Sequence, residues 1–392
     1  MKNKIVIIIA AFILLFSTNY EIAKAEGTEG KQNQGFEKTV EEIFDGLNTK
    51  DIEKYLGELI PIFGERGGLK DFVKSVMSGK AENYDSVFKY LLSIVSYGFK
   101  EKLPSFISLF ILIVFASLVK LLSPSDKPRG VSELANYAIY TAIICIVSGV
   151  VYGIISDAEN TLEKMSRFTE VVYPLVLTLT IACGANNSAE TVTPTALFVS
   201  DTVIIIVKNF VFPVIIFMLV VAIASNLNNS IKLKGLFGFL SSFMKWGIGL
   251  FTVVFSMFLG INVLNSKALD GLGYKTAKYA VGSTLPLVGG VVGEGLNLMI
   301  ASAAIIKNAF GMLAVFVVFS IAIVPIIETI ILSLVLKLIA AVTEPFSDPR
   351  ISEFISGGIT VINFVVAALV IVSFMYIISF VAIIGCAGYL FA

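Results

Sequence analysis

The chain has 392 residues, is 56% hydrophobic and 15% charged, and has a mean hydropathy of +0.89, which lies outside the range of a soluble globular protein. With 29 basic and 29 acidic residues its net charge is zero, so it lacks the basic footprint that nucleic acid requires. It has no histidine, which removes the commonest zinc ligand and general base, and no metal or cofactor site is expected.

The first 25 residues have the form of a secretory signal: Lys2 and Lys4, an apolar run from Ile5 to Phe16, then Ala23-Lys24-Ala25 as a small-residue cleavage site. Cleaved or retained as an anchor, this segment places residue 26 onward outside the cytoplasm. Residues 26–102 carry 25 of the ionisable side chains. They read as a small helical extracytoplasmic domain. Phe36, Val40, Ile43, Phe44 and Leu47 keep helical spacing, as do Val87, Tyr90, Leu91, Ile94 and Val95. So small a unit is near the lower limit for a self-sufficient core.

Residues 103–392 form a polytopic transmembrane domain. The clear apolar spans are Phe106–Leu122, Leu134–Ile155, Phe210–Leu227, Trp246–Leu264, Ala309–Pro325, Ile326–Val342 and Gly357–Gly385. Two stretches about 111 residues apart share a pattern, since Thr141 and Gly149 match Thr252 and Gly260, and Pro174-Leu175-Val176 matches Pro286-Leu287-Val288. Lys208-Asn209 returns as Lys307-Asn308. The pattern predicts internal repeats over about 106–209 and 210–308, each with a Pro-Leu-Val hairpin and a Lys-Asn exit, and then C-terminal spans over 309–392. Gly184 to Asn187 and Pro194 break the first Pro-Leu-Val segment into two short helices. Lys120, Lys127 and Arg129 in one loop, with Lys232, Lys234 and Lys245 in another, put both on the cytoplasmic side. Asp157–Val172 and Lys267–Val281 are amphipathic, and read either as helices in the plane of the interface or as polar connectors.

Gly271-Leu272-Gly273-Tyr274-Lys275-Thr276 is similar to a phosphate-binding loop but has the wrong glycine spacing and no glycine before its lysine. No enzyme motif is present, and the chain reads as a non-enzyme. Ionisable residues within apolar segments carry more information, because a charge at the bilayer centre costs roughly 2.5 to 3.5 kcal/mol. They are Glu190, Asp201, Lys208, Lys245, Glu294, Lys307, Glu328 and Lys337. Glu190, Asp201 and Glu294, with Asn186, Asn187 and Asp270, form the candidate pathway or interface. Two readings stand for the acids, lining a hydrated cavity or capping short helices, and the lysines Lys208, Lys245 and Lys307 read as snorkelling to the surface. Gly289, Gly290, Gly293 and Gly295, with Ala301, Ala303 and Ala304, suit close helix contact.

Asp270 through Ala280, read as DGLGYKTAKYA and continued by Pro286-Leu287-Val288-Gly289-Gly290, resembles the stage III sporulation protein AE family. Tyr173-Pro174, Cys183-Gly184, Lys307-Asn308-Ala309-Phe310-Gly311 and Glu344-Pro345-Phe346-Ser347-Asp348-Pro349-Arg350-Ile351 carry the same resemblance over nearly the whole chain. It implies a multi-pass subunit in the mother-cell-derived membrane around the engulfed forespore of an endospore-forming bacterium. Implied partners are other stage III subunits, including an ATPase and a ring-forming subunit, and a forespore membrane protein. The implied assembly is a channel or secretion-like apparatus that sustains forespore development. The resemblance transfers no catalytic residue. The alternative reading, from the repeats and broken helices alone, is a self-contained secondary transporter of small solutes.

Overall fold

The computed structural model describes residues 129–227, 233–284, 289–343 and 349–385, with a few helical residues between 103 and 115. The signal segment, the outer domain and most of Phe106–Leu122 lie outside the described residues. Among those described there is no strand. The elements are α1 (Arg129–Ala182), α2 (Asn186–Ile206), a π-turn (Val207–Val211), α3 (Phe212–Leu227), α4 (Lys234–Thr284), α5 (Gly289–Thr343) and α6 (Pro349–Ile384). Five helical stretches, running 40 residues or so in three cases, are long and apolar enough to cross a membrane. The chain is an all-α, multi-pass membrane protein.

Apolar surroundings explain why helix runs through sequence that would break it in water. A backbone group without a partner in hydrocarbon costs several kilocalories per mole, so the chain keeps its internal hydrogen bonds wherever it can. Pro174, Pro194 and Pro325 all lie inside helices. Hydroxyls satisfy themselves on the preceding turn: Thr169 donates to the Met165 carbonyl at 2.9 Å, Thr180 to Val176 at 2.7 Å and Ser373 to Leu369 at 2.6 Å. Pro213 has no N–H to return to the Asn209 carbonyl, and the turn before it opens into the π-turn.

These rules correct several expectations. Pro174-Leu175-Val176 is interior to α1, and the chain reverses only at Cys183–Ala185, where Gly184 has φ +73° and Ala185 donates to the Thr180 carbonyl at 3.2 Å. Two long helices therefore replace the expected pair of short ones. Pro286-Leu287-Val288 lies outside the described residues, and α5 runs unbroken from Gly289 through Lys307-Asn308, which is no exit. Lys208-Asn209 is likewise interior, within the π-turn. Ala309–Pro325 and Ile326–Val342 are one helix, and Asp157–Val172 and Lys267–Val281 are parts of α1 and α4 rather than helices on their own.

The bundle is organised around α6, which packs on α1, α2, α3, α4 and α5. Phe354, Val365, Leu369, Val372 and Tyr376 of α6 are fully buried. Between apolar helices in lipid, dispersion contacts at close range replace the hydrophobic effect, so small residues set the approach. Gly357 meets the Ala222 methyl of α3 and Gly358 meets Val147 of α1, where an added Cβ would lie 3.0 and 3.4 Å from them. At one end of the bundle, Lys234 pairs with Glu353 at 2.7 Å and Tyr140 packs edge-on to Phe354. At the other, the α1–α2 turn buries Cys183 and Ala185 with Ala303 and Ala304 of α5.

Gly184 has open space around it, so its role is conformational alone. Gly184→Ala should cost about 1 to 2 kcal/mol of stability, and Gly184→Asn less, because asparagine tolerates the left-handed region. Thermal denaturation of the purified full chain checks the order.

Candidate functional site

The middle of α1 carries nearly all of its charge. Asp157, Glu159, Glu163, Lys164, Arg167 and Glu170 fall within four turns, while Leu162, Met165, Phe168 and Val172 on the opposite face are wholly buried in the core. The amphipathic pattern is therefore that of a core helix with one polar side. At this height α2 and the π-turn bring Asp201 and Lys208 alongside α1, and α6 brings Tyr376 and Ser379.

The contacts form a seam between three helices. The Lys208 ammonium donates to Glu163 Oε1 at 2.5 Å. Ser166 Oγ lies 3.3 Å from Asp201 Oδ1 and 3.4 Å from Glu170 Oε1. The buried Tyr376 hydroxyl reaches Asp201 Oδ1 from α6 at 3.4 Å. One residue back on α2, Ser200 and Ser379 share a hydrogen bond of 3.1 Å. A cavity of about 10 Å³ adjoins them, lined by Thr169, Tyr173, Ser200, Tyr376 and Ser379 and closed by apolar residues including Phe380 and Ile383. Its exposed wall is apolar, so it is a packing gap rather than a hydration site.

The sequence makes this seam singular. No charged residue occurs in α4 between Lys245 and Lys267, in α5 between Lys307 and Glu328, or in α6 after Glu353. In the described seam, charge thus comes from α1, α2 and the π-turn, and α6 supplies only hydroxyls, while α5 buries Lys307 elsewhere in the bundle.

Of the six candidate residues, Asp201 alone lies in the described seam. Asn186 and Glu190 are exposed and Asn187 is half-buried, all in the first turns of α2. Eleven residues of helix, about 16 Å, separate Glu190 from Asp201. Asp270 lies on α4 and Glu294 on α5, with side chains outside the described residues. Sequence reasoning missed Glu163, Ser166 and Tyr376. The one signal for them was the tyrosine in an otherwise apolar run, whose hydroxyl needs a partner when buried.

One lysine differs from the snorkelling expectation. Lys208 reaches the partly exposed Glu163, whereas Lys307 is buried, with only 1% of its surface exposed. Its ammonium donates to the carbonyls of Ile383 and Ile384, both at 3.2 Å. These carbonyls end α6 and have no later N–H within the helix, and the negative end of the helix dipole favours a cation there. One turn along α5, a Cβ on Gly311 would come within 2.2 Å of Ile384. Lys307 and Gly311 together seat the end of α6 against α5. Lys245 and Lys337 are exposed, and Glu328 is half-buried. No group of metal-ligating side chains occurs among the described residues.

A multi-pass helical bundle with a polar seam between three of its membrane spans is the class that fold and site define. The family model for Stage III sporulation protein AE matches residues 67–387. The chain belongs to the Stage III sporulation protein AE family, and so to sporulation. It is 24% identical over 385 residues to "Stage III sporulation protein AE" of Bacillus subtilis (strain 168), covering 95% of each chain. No solved structure matches it.

Lys307→Met removes the ammonium and leaves the terminal carbonyls of α6 in an apolar site. The expected loss is about 1 to 3 kcal/mol, against less than about 0.5 kcal/mol for Lys337→Met on the exposed face of the same helix. Unfolding of both variants in the same lipid or detergent checks the contrast.

Proposed function

We propose that this chain is a membrane subunit of the complex linking mother cell and forespore, in the mother-cell-derived membrane with its N-terminal domain extracytoplasmic. It works there with an ATPase, a ring-forming subunit and other stage III subunits, opposite a forespore membrane partner, in a channel or secretion-like apparatus. The observation that carries a conducting or coupling role, rather than a passive one, is the seam. Charges inside apolar spans are expensive and mark pathways or coupling sites, and two of them, Asp201 and Lys208, meet α1 and α6 at this junction. The chain has no nucleotide-binding motif and acts as a non-enzyme, so energy comes from a partner. Asn186, Asn187 and Glu190 at the start of α2, with Asp270 and Glu294, form the interface that partners or cargo meet.

Deletion of the gene in its source organism should leave growth normal and arrest development after the forespore is engulfed. Complementation with Asp201→Asn, and separately with Glu190→Gln/Glu294→Gln, should cut spore yield at least about tenfold, equivalent to ~1.4 kcal/mol of lost coupling, with protein levels unchanged on immunoblots. Full spore yield from both variants would contradict the proposal. Solute uptake by the purified chain alone in liposomes would instead favour a self-contained transporter.

A further inference from the structure

Asp201 stands apart from the other acids of the seam. Glu163 has Lys208, and Glu170 is exposed at the edge of α1. Asp201 is half-buried, and its described hydrogen-bond partners are two neutral hydroxyls, Ser166 from α1 and Tyr376 from α6. Along its own stretch of chain the nearest cation is Lys208, two turns away and held by Glu163. From α1 the ionisable group that acts on it is Glu170, which shares Ser166 with it, and Glu163, Arg167 and Tyr173 lie along the same helix. From α6 there is Tyr376 alone, since no charged residue comes after Glu353. Further along, where Val203, Ile206 and Phe210 meet α4, the facing residues Phe243, Met244, Gly247, Ile248 and Phe251 are all apolar.

We propose that Asp201, with Ser166 and Tyr376, forms a proton-binding site at the junction of α1, α2 and α6. The two protonation states demand different hydrogen bonds. As a carboxylate, Asp201 accepts from both Ser166 and Tyr376. When it takes a proton, one O–H bond forms on the carboxyl. The proton comes from hydronium at the exposed Glu170–Ser166 edge, leaving water behind. The carboxyl can then donate to Ser166 Oγ, whose own proton turns to Glu170 Oε1 at 3.4 Å, and Tyr376 donates less strongly to the neutral carboxyl than to the carboxylate. Because Tyr376 belongs to α6, which packs on every other long helix, the exchange bears on the whole bundle. The site goes beyond the function proposed above and is independent of the partners named there.

The test is pH-difference infrared spectroscopy of the purified full chain in lipid nanodiscs. The expected result is a carboxylic C=O band that is lost in Asp201→Asn, and whose frequency and titration midpoint both shift in Tyr376→Phe. Tyr376→Phe removes only the hydroxyl, so it keeps the test decisive where Asp201→Asn fails to fold. A carboxyl that titrates identically with and without the Tyr376 hydroxyl, or the absence of any band assignable to Asp201, would overturn the site. The spore-yield measurement is untouched by that outcome, so the two proposals fail separately.

Discussion

The contact on which the rest of the bundle depends is that of Lys307 with the end of α6. A buried ammonium is costly unless it is paired, and here the ending carbonyls of Ile383 and Ile384 provide both acceptors and the negative pole of a helix dipole. The contact fixes the axial position of α6 on α5. Gly311 permits it by letting Ile384 lie against the α5 backbone, and Lys234–Glu353 holds the other end of α6 at the surface. An exposed pair of that kind contributes little, roughly 0 to 1 kcal/mol. The buried end therefore dominates.

Register is what converts packing into a site. The central helix carries no charge beyond Glu353, and a displacement by one turn, about 5.4 Å, would remove the Tyr376 hydroxyl from Asp201 and separate Ser379 from Ser200. Gly357 and Gly358 resist the same displacement sterically, since side chains of α3 and α1 already fill the space at their Cα atoms. The polar seam is thus held by a buried cap at one end of α6 and small-residue contacts near the other. Between them, hydroxyls satisfied on their own helices leave few alternative hydrogen bonds to stabilise another register.

Composition and hydropathy made the membrane class and the all-helical fold legible, because both depend on how much of the chain is apolar. Helix boundaries were not legible in the same way. Gly184 did mark a turn, and its positive φ explains why. Pro174, Pro194 and Pro325 marked none, since in apolar surroundings the loss of one helical hydrogen bond is smaller than the loss of several at a break. Asp201 could be singled out as an intramembrane acid, but its partners Ser166 and Tyr376 lie 35 and 175 residues away in the chain. Lys307 looked like a snorkelling lysine because nothing local shows that the last carbonyls of α6 arrive beside it. The Lys307-Asn308-Ala309-Phe310-Gly311 motif acquires a physical meaning only in the fold, as a cap and a close-approach glycine one turn apart.

The polar seam requires that α2 and α6 meet at Ser200 and Ser379 beside Asp201. The direct measurement is disulfide formation in membranes by a Ser200→Cys/Ser379→Cys variant with Cys145, Cys183 and Cys386 replaced by alanine. The hydroxyl oxygens are 3.1 Å apart, within reach of a disulfide after small side-chain rotation. Rapid, near-complete cross-linking within one chain under mild oxidation is the predicted result. Two free thiols persisting under the same oxidation, in protein that is otherwise folded, would contradict the packing on which the seam and its function depend.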